Sequence, residues 1–402
     1  MLKGKTVVVG VTGGIAAYKS AQLVSDLVKL HCDVHVVMTK NAQNFINPIT
    51  FETLTGNKCL VDTFDRNFQF NVTHVSLSQK ADVLIIAPAS ANIIGKAANG
   101  IADDMLSTML LAATCKIIVA PAMNRYMYQN SIVQENLEKL RRHGFVIVEP
   151  AVGRLACDDV GIGKLPDVDV LIESVLHEIA HKKDMENLNV LVTAGATAEA
   201  IDPVRFVTNH STGKMGYAIA RAASQRGAKV TLVSGLVSVK APNYVNTVNV
   251  RSAEEMFNAV SEHLNECDIL IMSAAVADYT PETVSSEKIK KSGDNMTISF
   301  KRTKDILAYA GLHKRENQVI CGFSMETQHL MENSQKKLIS KNCDLIAANS
   351  IRESGSGFGT DTNKITIITA EENRSLALMS KDEAAHIILD NALNIYQTKK
   401  NH

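Results

Sequence analysis

Several stretches place residues where their types and spacing can do chemistry. In VVVGVTGGIAAYK the glycines fall at 10, 13 and 14, between an apolar run and a helix-like run. Such a turn offers free backbone N–H groups and a helix dipole to a phosphate. The dinucleotide pattern G-x-G-x-x-G is not met, and the next apolar run ends in Thr39 and Lys40 rather than a carboxylate. NAD would therefore lack its ribose partner, whereas a hydroxyl at Thr39 suits a mononucleotide phosphate. A plain tight turn remains the alternative. The runs APASANIIGKAANGIADDML and APAMNRYMY each end a strand with Pro, small residues and an amide, Asn92 or Asn124. Small residues let a flat ring approach the backbone, and strand carboxyl ends are where open α/β sheets take ligands. GRLACDDVGIGKLPD reads as a glycine-rich lid presenting the Cys157 thiol, against the alternative of a small buried filler. A second glycine-lysine loop, VTNHSTGKMGYAIA, spans Val207 to Ala220; Met215 follows Lys214 where a Walker A loop needs Ser or Thr. HEIAH, His177 to His181, matches H-E-x-x-H, with both imidazoles expected on one helical face. It sits at an apparent domain exit without an extended zinc-protease pattern, so it is set aside. His31 and His35 share that spacing and read as surface positions.

Elements of one rhythm must position these residues. KTVVVGVT, DVHVVMT, ADVLIIAPAS and KIIVAPAMN are apolar runs alternating with helical spacing such as AAYKSAQLVSDLVKL. That is the β-α-β order of a parallel sheet covered on both faces. ESVLHEIAHKKDMEN, Glu173 to Asn187, reads as a helix turning charged at a domain exit. The rhythm restarts at Leu188 with LNVLVTAGAT, GKMGYAIARAASQRG and AKVTLVSG, then CDILIMSAAVADY, NQVICGFSME, CDLIAANS and KITIITA. About twenty residues separate the first strand and helix of this second unit, where about 2–6 are usual, and a connection that long is functional as a rule. The expectation is two Rossmann-like α/β domains, 1–184 and 185–402. The 402-residue chain is 46% hydrophobic with a formal net charge of zero, which leaves no broad basic field for nucleic acid or anionic membrane. No apolar run approaches the ~18 residues of a membrane span. Seven cysteines without a CxxC argue against a disulfide framework or thiolate zinc site, and the expected compartment is the cytoplasm.

Over nearly its whole length the chain resembles the bifunctional phosphopantothenoylcysteine decarboxylase/phosphopantothenate–cysteine ligase family of coenzyme A biosynthesis. GGIAAYK, His74 in NVTHVSL, PASAN, PAMNRYM and LACDDVGIGK match its flavin-containing, flavodoxin-like decarboxylase half. IDPVRFVTNHSTGKMGYAIA, AAVADY, EKIKK, GFSMET and KNCDLIAAN match its nucleotide-binding ligase half. The family's glycine-glycine-threonine-arginine turn reads GATAE here, with Ala196 and Ala198 in place of Gly and Arg.

The resemblance implies CTP-dependent joining of 4′-phosphopantothenate to cysteine through an acyl-cytidylate, then FMN-dependent decarboxylation to 4′-phosphopantetheine, with Mg²⁺ accompanying the triphosphate. It implies FMN contacts from Gly13, Gly14, Thr39, Ser90, Asn92 and Met123. His74 becomes the base or substrate-orienting group, Asn124 the holder of the substrate carboxylate, and Cys157 the proton donor. In the ligase half it implies Ser211, Thr212, Gly213 and Lys214 on the loop, and Met272, Ser273, Ala274 and Asp278 after a strand. Lys304, Asp305, Ile306, Leu307, Phe323, Lys337 and Lys341 complete the nucleotide site. Lys288 would meet the triphosphate and Asn209 would act on the acyl-cytidylate. It implies a homo-oligomer with flavin sites between subunits. The metal ligands are not assigned. Two other classes stay open: a flavin- or NAD-dependent reductase with a second nucleotide domain, and a non-catalytic nucleotide sensor.

Overall fold

Alternate residues of the first strand, β1 (Thr6–Val11), enter different apolar clusters: Val7, Val9 and Val11 one, Val8 the other. Side chains of a strand alternate with period two, so this sheet is covered on both faces. The computed structural model describes residues 2–63, 73–154, 160–290, 296–326, 329–350, 357 and 359–401. Contacts divide the chain into two units, Met1–His181 and Lys182–His402.

In the first unit β2 (Asp33–Met38), β3 (Val83–Ala89), β4 (Lys116–Pro121) and β5 (Val146–Ile147) join β1 in the order β2-β1-β3-β4-β5, all parallel. This is the flavodoxin-like order, whose direction reverses between β1 and β3. One face packs Leu23, Val24 and Leu27 of the helix Tyr18–Lys29 and Leu171 and Val175 of the helix Val168–Ile179. The other packs the helices Ala91–Asn99, Met105–Ala112 and Ser131–Arg142.

The second unit has β6 (Asn189–Ala194), β7 (Lys229–Ser234), β8 (Asn246–Asn249), β9 (Ile269–Met272), β10 (Val319–Glu326), β11 (Leu345–Ser350), β12 (Thr366–Ile368) and β13 (Asn373–Ser375). Their order is β8-β7-β6-β9-β10-β11-β12-β13. The first six form a parallel Rossmann order, third-second-first-fourth-fifth-sixth, with its switch between β6 and β9. The last two run antiparallel, so KITIITA joins as a reversed strand rather than another parallel one, with β13 at the edge. The alternation recurs in β6: Val190 and Val192 pack with the helices Lys214–Gln225 and Lys381–Asn401, while Leu191 packs with Ala253–Leu264 and Ile306–His313.

Several local expectations are corrected or refined. The exit helix begins at Val168 and ends at Ile179, so His181 lies beyond it and cannot share its face with His177; the charged HKKDMEN run lacks the apolar stripe that would hold another turn. His74 falls in the first turn of the helix Thr73–Lys80, and its side chain lies outside the described residues. The long connection after β6 contains a two-stranded antiparallel ribbon, Ala198–Ala200 with Phe206–Thr208. Ala196 and Ala198 are buried there, the Ala196 N–H donating to Leu236 O and the Ala198 N–H to Arg251 O. His35 is half-buried beside Asp33, 3.2 Å away, rather than a plain surface position.

The start of the second unit is pinned by charge. Arg226, whose side chain is 5% exposed, donates to both oxygens of Asp184 at 2.8 and 2.7 Å and to Asp390 at 2.7 Å. The Lys183 ammonium donates to Gln225 O at 2.9 Å. The Arg226 bond holds the Asp184 carboxyl below its ordinary range, outweighing the opposing effect of burial. A fragment 182–402 should therefore unfold cooperatively on its own, and cutting back to 185–402, which removes the Asp184 partner and leaves Asp390, should cost about 1 kcal/mol at pH 7. A depressed carboxylate stabilises above its unfolded pKa and loses that effect as pH falls through the folded one. Urea melts of the two fragments at pH 7 and in acid should show the gap shrink; a gap that is absent at pH 7 or constant with pH contradicts the assignment.

Candidate functional site

Crossovers leave a parallel sheet in opposite directions at its switch point, which opens a crevice at the strand carboxyl ends. In the first unit that crevice is framed by the turn after β1 and the end of β3. Thr12 joins them: its buried hydroxyl donates to Pro88 O at 2.7 Å and accepts from the Ser90 N–H at 3.0 Å. Gly13 has no room for a side chain, since a Cβ would stand 2.7 Å from Asn41 Cβ. Gly14, one residue on, faces open space and leads through the 3-10 turn Ile15–Ala17 into the helix Tyr18–Lys29. Thr39 follows β2 at the same edge; its hydroxyl is buried with no hydrogen-bond partner among the described residues. Ser90 precedes the helix Ala91–Asn99 in extended conformation and makes no capping bond to it, and Asn92 is exposed on that helix's first turn. Asn124 caps the short helix Arg125–Gln129 through the Tyr126 N–H at 2.9 Å. The Met123 N–H donates to Gly163 O at 3.0 Å, fastening the β4 end to the ribbon Ala151–Arg154/Val160–Lys164. Cys157, between those ribbon strands in sequence, lies outside the described residues. Burial pushes other thiols up, Cys32 and Cys267 to about 11 and Cys59 and Cys343 to about 12, which makes them inert at neutral pH.

In the second unit a cavity of about 530 Å³ opens at the ends of β9 and β10. Ten expected residues line it: Met272, Ala274 and Asp278 after β9, Lys304, Asp305, Ile306 and Leu307 at the next helix start, Phe323 from β10, and Lys337 and Lys341. Val276, Tyr279, Arg302 and Thr303 line it too. Sequence reasoning missed these four, although Arg302 stands in the basic run FKRTKD. Four cationic side chains against two acidic ones give the cavity local positive charge in a chain of zero net charge, the sign a polyphosphate requires. Lys341 pairs with Asp305 at 2.6 Å, and Lys337 donates to Phe323 O at 2.8 Å. Burial alone would raise the Asp305 carboxyl, but Lys341 and the Ala308 N–H hold it below its ordinary range.

The expected loop lies beside this crevice without lining the cavity. Asn209 donates through Nδ2 to Ala275 O and Val276 O at 3.2 and 3.3 Å, joining the loop to the cavity wall. The Ser211 hydroxyl accepts from the Gly213 N–H at 3.4 Å, Thr212 O accepts from the Ser238 N–H, and Gly213 caps the helix Lys214–Gln225. Lys214 itself is engaged by Gly359 O at 3.0 Å and Asp361 at 2.6 Å. Ser273 donates to Thr193 O at 2.7 Å, which turns it from the cavity to β6. At Gly216 a Cβ would meet Ala194 Cβ and Ser273 Oγ at 2.5 Å, so only glycine lets this helix pack so near the switch point. Lys288 is exposed on the segment after Pro281 and does not line the cavity.

Two family models divide the chain: one described as Flavoprotein matches residues 1–180, and one described as DNA/pantothenate metabolism flavoprotein C-terminal domain matches residues 185–396. The coenzyme A biosynthesis bifunctional protein CoaBC of Bacillus subtilis (strain 168) is 45% identical over 393 residues, 97% of each chain. The chain belongs to the family of coenzyme A biosynthesis bifunctional proteins. The CoaBC protein of Haemophilus influenzae is 41% identical, over 98% of this chain and 99% of its own. A crystal structure of the C-terminal domain of a CoaBC protein is 40% identical, covers 54% of this chain and 98% of that one, and has a TM-score of 0.46.

The family is bifunctional, and its first half is a flavoprotein. The residues around β1 fit a flavin phosphate: an open Gly14 at a helix start, and a buried Thr39 hydroxyl without a partner among the described residues. A buried unsatisfied hydroxyl costs free energy that a ligand bond recovers. Thr39→Val should leave the flavin-free protein as stable as before or more so, while weakening flavin affinity up to about tenfold. Thermal melts without flavin and fluorescence titration with it measure both; unchanged affinity removes Thr39 from the site.

Proposed function

We propose that residues 185–402 join 4′-phosphopantothenate to cysteine with CTP, and that residues 1–184 then decarboxylate phosphopantothenoylcysteine to 4′-phosphopantetheine with FMN. The observation that carries this reading is the cationic cavity at the carboxyl ends of β9 and β10 in a second Rossmann sheet, in a chain whose first half is a flavoprotein. A carboxylate and an amine do not form an amide at neutral pH without a leaving group. Attack of the phosphopantothenate carboxylate on the CTP α-phosphorus expels pyrophosphate and gives an acyl-cytidylate; the cysteine amine then displaces CMP. Lys337, Lys341 and Lys304 supply positive charge around the nucleotide, and Lys288 offsets charge developing on the triphosphate. Mg²⁺ enters as the nucleotide's own counter-ion, since it binds chiefly through substrate phosphates. Asn209, held by Ala275 O and Val276 O, directs a neutral amide at the acyl-phosphate without repelling it.

In the first half, FMN supplies the two-electron acceptor that a plain cysteinyl carbon lacks. Gly13, Gly14, Thr39, Ser90, Asn92 and Met123 would hold it. Asn124 binds the substrate carboxylate, His74 orients the substrate or takes its proton, and Cys157 returns a proton at carbon. The glycine turn is flanked by Ile15 and Tyr18, each 60% exposed; such apolar exposure beside a site supports flavin pockets completed by a second copy in a homo-oligomer. We place these reactions in the cytoplasm; among the described residues no helix is long and apolar enough to cross a membrane.

Incubating the full chain with 4′-phosphopantothenate, cysteine, CTP and Mg²⁺ should give 4′-phosphopantetheine, CMP, pyrophosphate and carbon dioxide by mass analysis. A protein that binds CTP and flavin yet forms neither phosphopantothenoylcysteine nor 4′-phosphopantetheine contradicts the proposal. Lys288→Gln should block acyl-cytidylate formation, whereas Asn209→Asp should let it accumulate, because a new anion disturbs aminolysis; quenched reactions resolve the two. Cys157→Ser should keep flavin and release carbon dioxide but stop at the unsaturated enethiol, since its hydroxyl is too weak an acid. His74→Asn should fail before carbon dioxide release. A normal rate of phosphopantetheine formation by Cys157→Ser removes the thiol from its role.

A further inference from the structure

Lys288 sits on a segment without helix or strand, so something else must hold it. Asp202 lies in the turn between the ribbon strands Ala198–Ala200 and Phe206–Thr208, and its side chain is fully buried. Its Oδ1 accepts the Val204 and Arg205 N–H groups, both at 2.8 Å, which fixes the turn. Its Oδ2 accepts Arg205 Nε and Nη2 at 3.0 and 2.6 Å, and also the Ile289 N–H at 3.1 Å. The same Arg205 Nη2 donates to Ile289 O at 2.7 Å. Both backbone groups of Ile289, next after Lys288, are thereby held by one carboxylate–guanidinium pair. A further bond, the Ser285 N–H to Ile201 O at 3.1 Å, ties the segment to the same turn.

The geometry points to Asp202 as the positioning residue for Lys288, fixing the peptide that carries it beside the ligase loop; this rests on reading Lys288 as the cationic partner of the triphosphate. Burial would raise the Asp202 carboxyl, but Arg205 and three backbone N–H groups hold it well below the ordinary range, so it stays an acceptor at any working pH. Asp202 does not line the cavity and touches no expected substrate group. Its action runs through placement, and a displacement of about 1 Å in a reacting group can cost on the order of 100-fold in rate.

Asp202→Asn keeps the shape and can keep the Oδ1 bonds. Its Nδ2 would then face the Ile289 N–H and the Arg205 guanidinium, donor against donor. In the full-length chain, with CTP, phosphopantothenate and Mg²⁺ but no cysteine, Asp202→Asn should slow acyl-cytidylate formation about 10- to 100-fold. The double variant Asp202→Asn/Lys288→Gln should be no slower than Lys288→Gln alone, because a positioning residue has nothing left to position. Amide exchange should rise over 285–290 and stay unchanged in β6 and the helix Lys214–Gln225. If Asp202→Asn fails to fold, Ile289→Pro carries the test: it deletes the donated N–H, leaves Asp202 and its turn in place, and should show the same loss. A slow Lys288→Gln with Asp202→Asn or Ile289→Pro at the wild-type rate overturns the positioning role. Multiplicative loss in the double variant overturns it too. Lys288→Gln at the wild-type rate sinks the reading of Lys288 itself, and with it this inference.

Discussion

Reversal of strand order within a parallel sheet is the constraint on which the molecule depends. Once β1 is flanked by β2 and β3, and β6 by β7 and β9, the crossovers on either side leave in opposite directions and no helix covers the strand ends between them. Each unit therefore has one place where a ligand can reach several backbones at once. The two units use it differently. The first tightens the crevice with Gly13 and Thr12, which bring the turn and the β3 end together. The second widens it, because the connection after β6 is long enough to fold into a ribbon and the residues after β9 lead into a second ribbon, Tyr279–Pro281 with Phe300–Arg302.

Much of this was legible in the chain because apolar runs bounded by glycine and polar residues fix strands, and strands fix where sites can be. The runs around Val7, Leu84, Ile118, Leu191, Leu232 and Ile271 became the strands expected of them. Ten residues that the resemblance put at a nucleotide site, from Met272 to Lys341, line one cavity, while Ser273 and the loop 211–214 do not. What local pattern could not give were relations set by tertiary contact. KITIITA has the same composition whether it runs parallel or antiparallel, and only its pairing with β11 and β13 shows that it runs antiparallel. The helix ending at Ile179 was overextended because charged residues with good helix propensity follow it.

Lysine assignments show the same limit. Lys214 sits in a loop that looks built for phosphate, yet its ammonium binds Gly359 O and Asp361. Lys381 is buried, donates to Gly357 O and Thr360 O at 3.1 and 2.6 Å, and is held below its ordinary range by burial and by Lys214. These two cations fasten Gly357 and residues 359–361 to the ends of two helices. Residue type announces a cation at each position; only the carbonyls and carboxylates around it tell fastening from ligand binding.

That distinction bears on how the second unit tolerates charge. A cavity with four cations would repel itself if all of them were unscreened, and the fold answers with acids placed one bond away. Asp305 takes Lys341 while capping the helix Ile306–His313 through the Ala308 N–H, so one carboxylate both starts the helix and restrains the lysine. Lys304 stands 4.5 Å over the Phe257 ring, a neutral partner that orients the ammonium without neutralising it. A polyphosphate entering this cavity, as the proposed function requires, would meet side chains already oriented by partners weaker than itself. The free energy of ordering long lysine chains is then met during folding rather than on binding, which is the advantage of preorganisation at a site where charge must be placed before it develops.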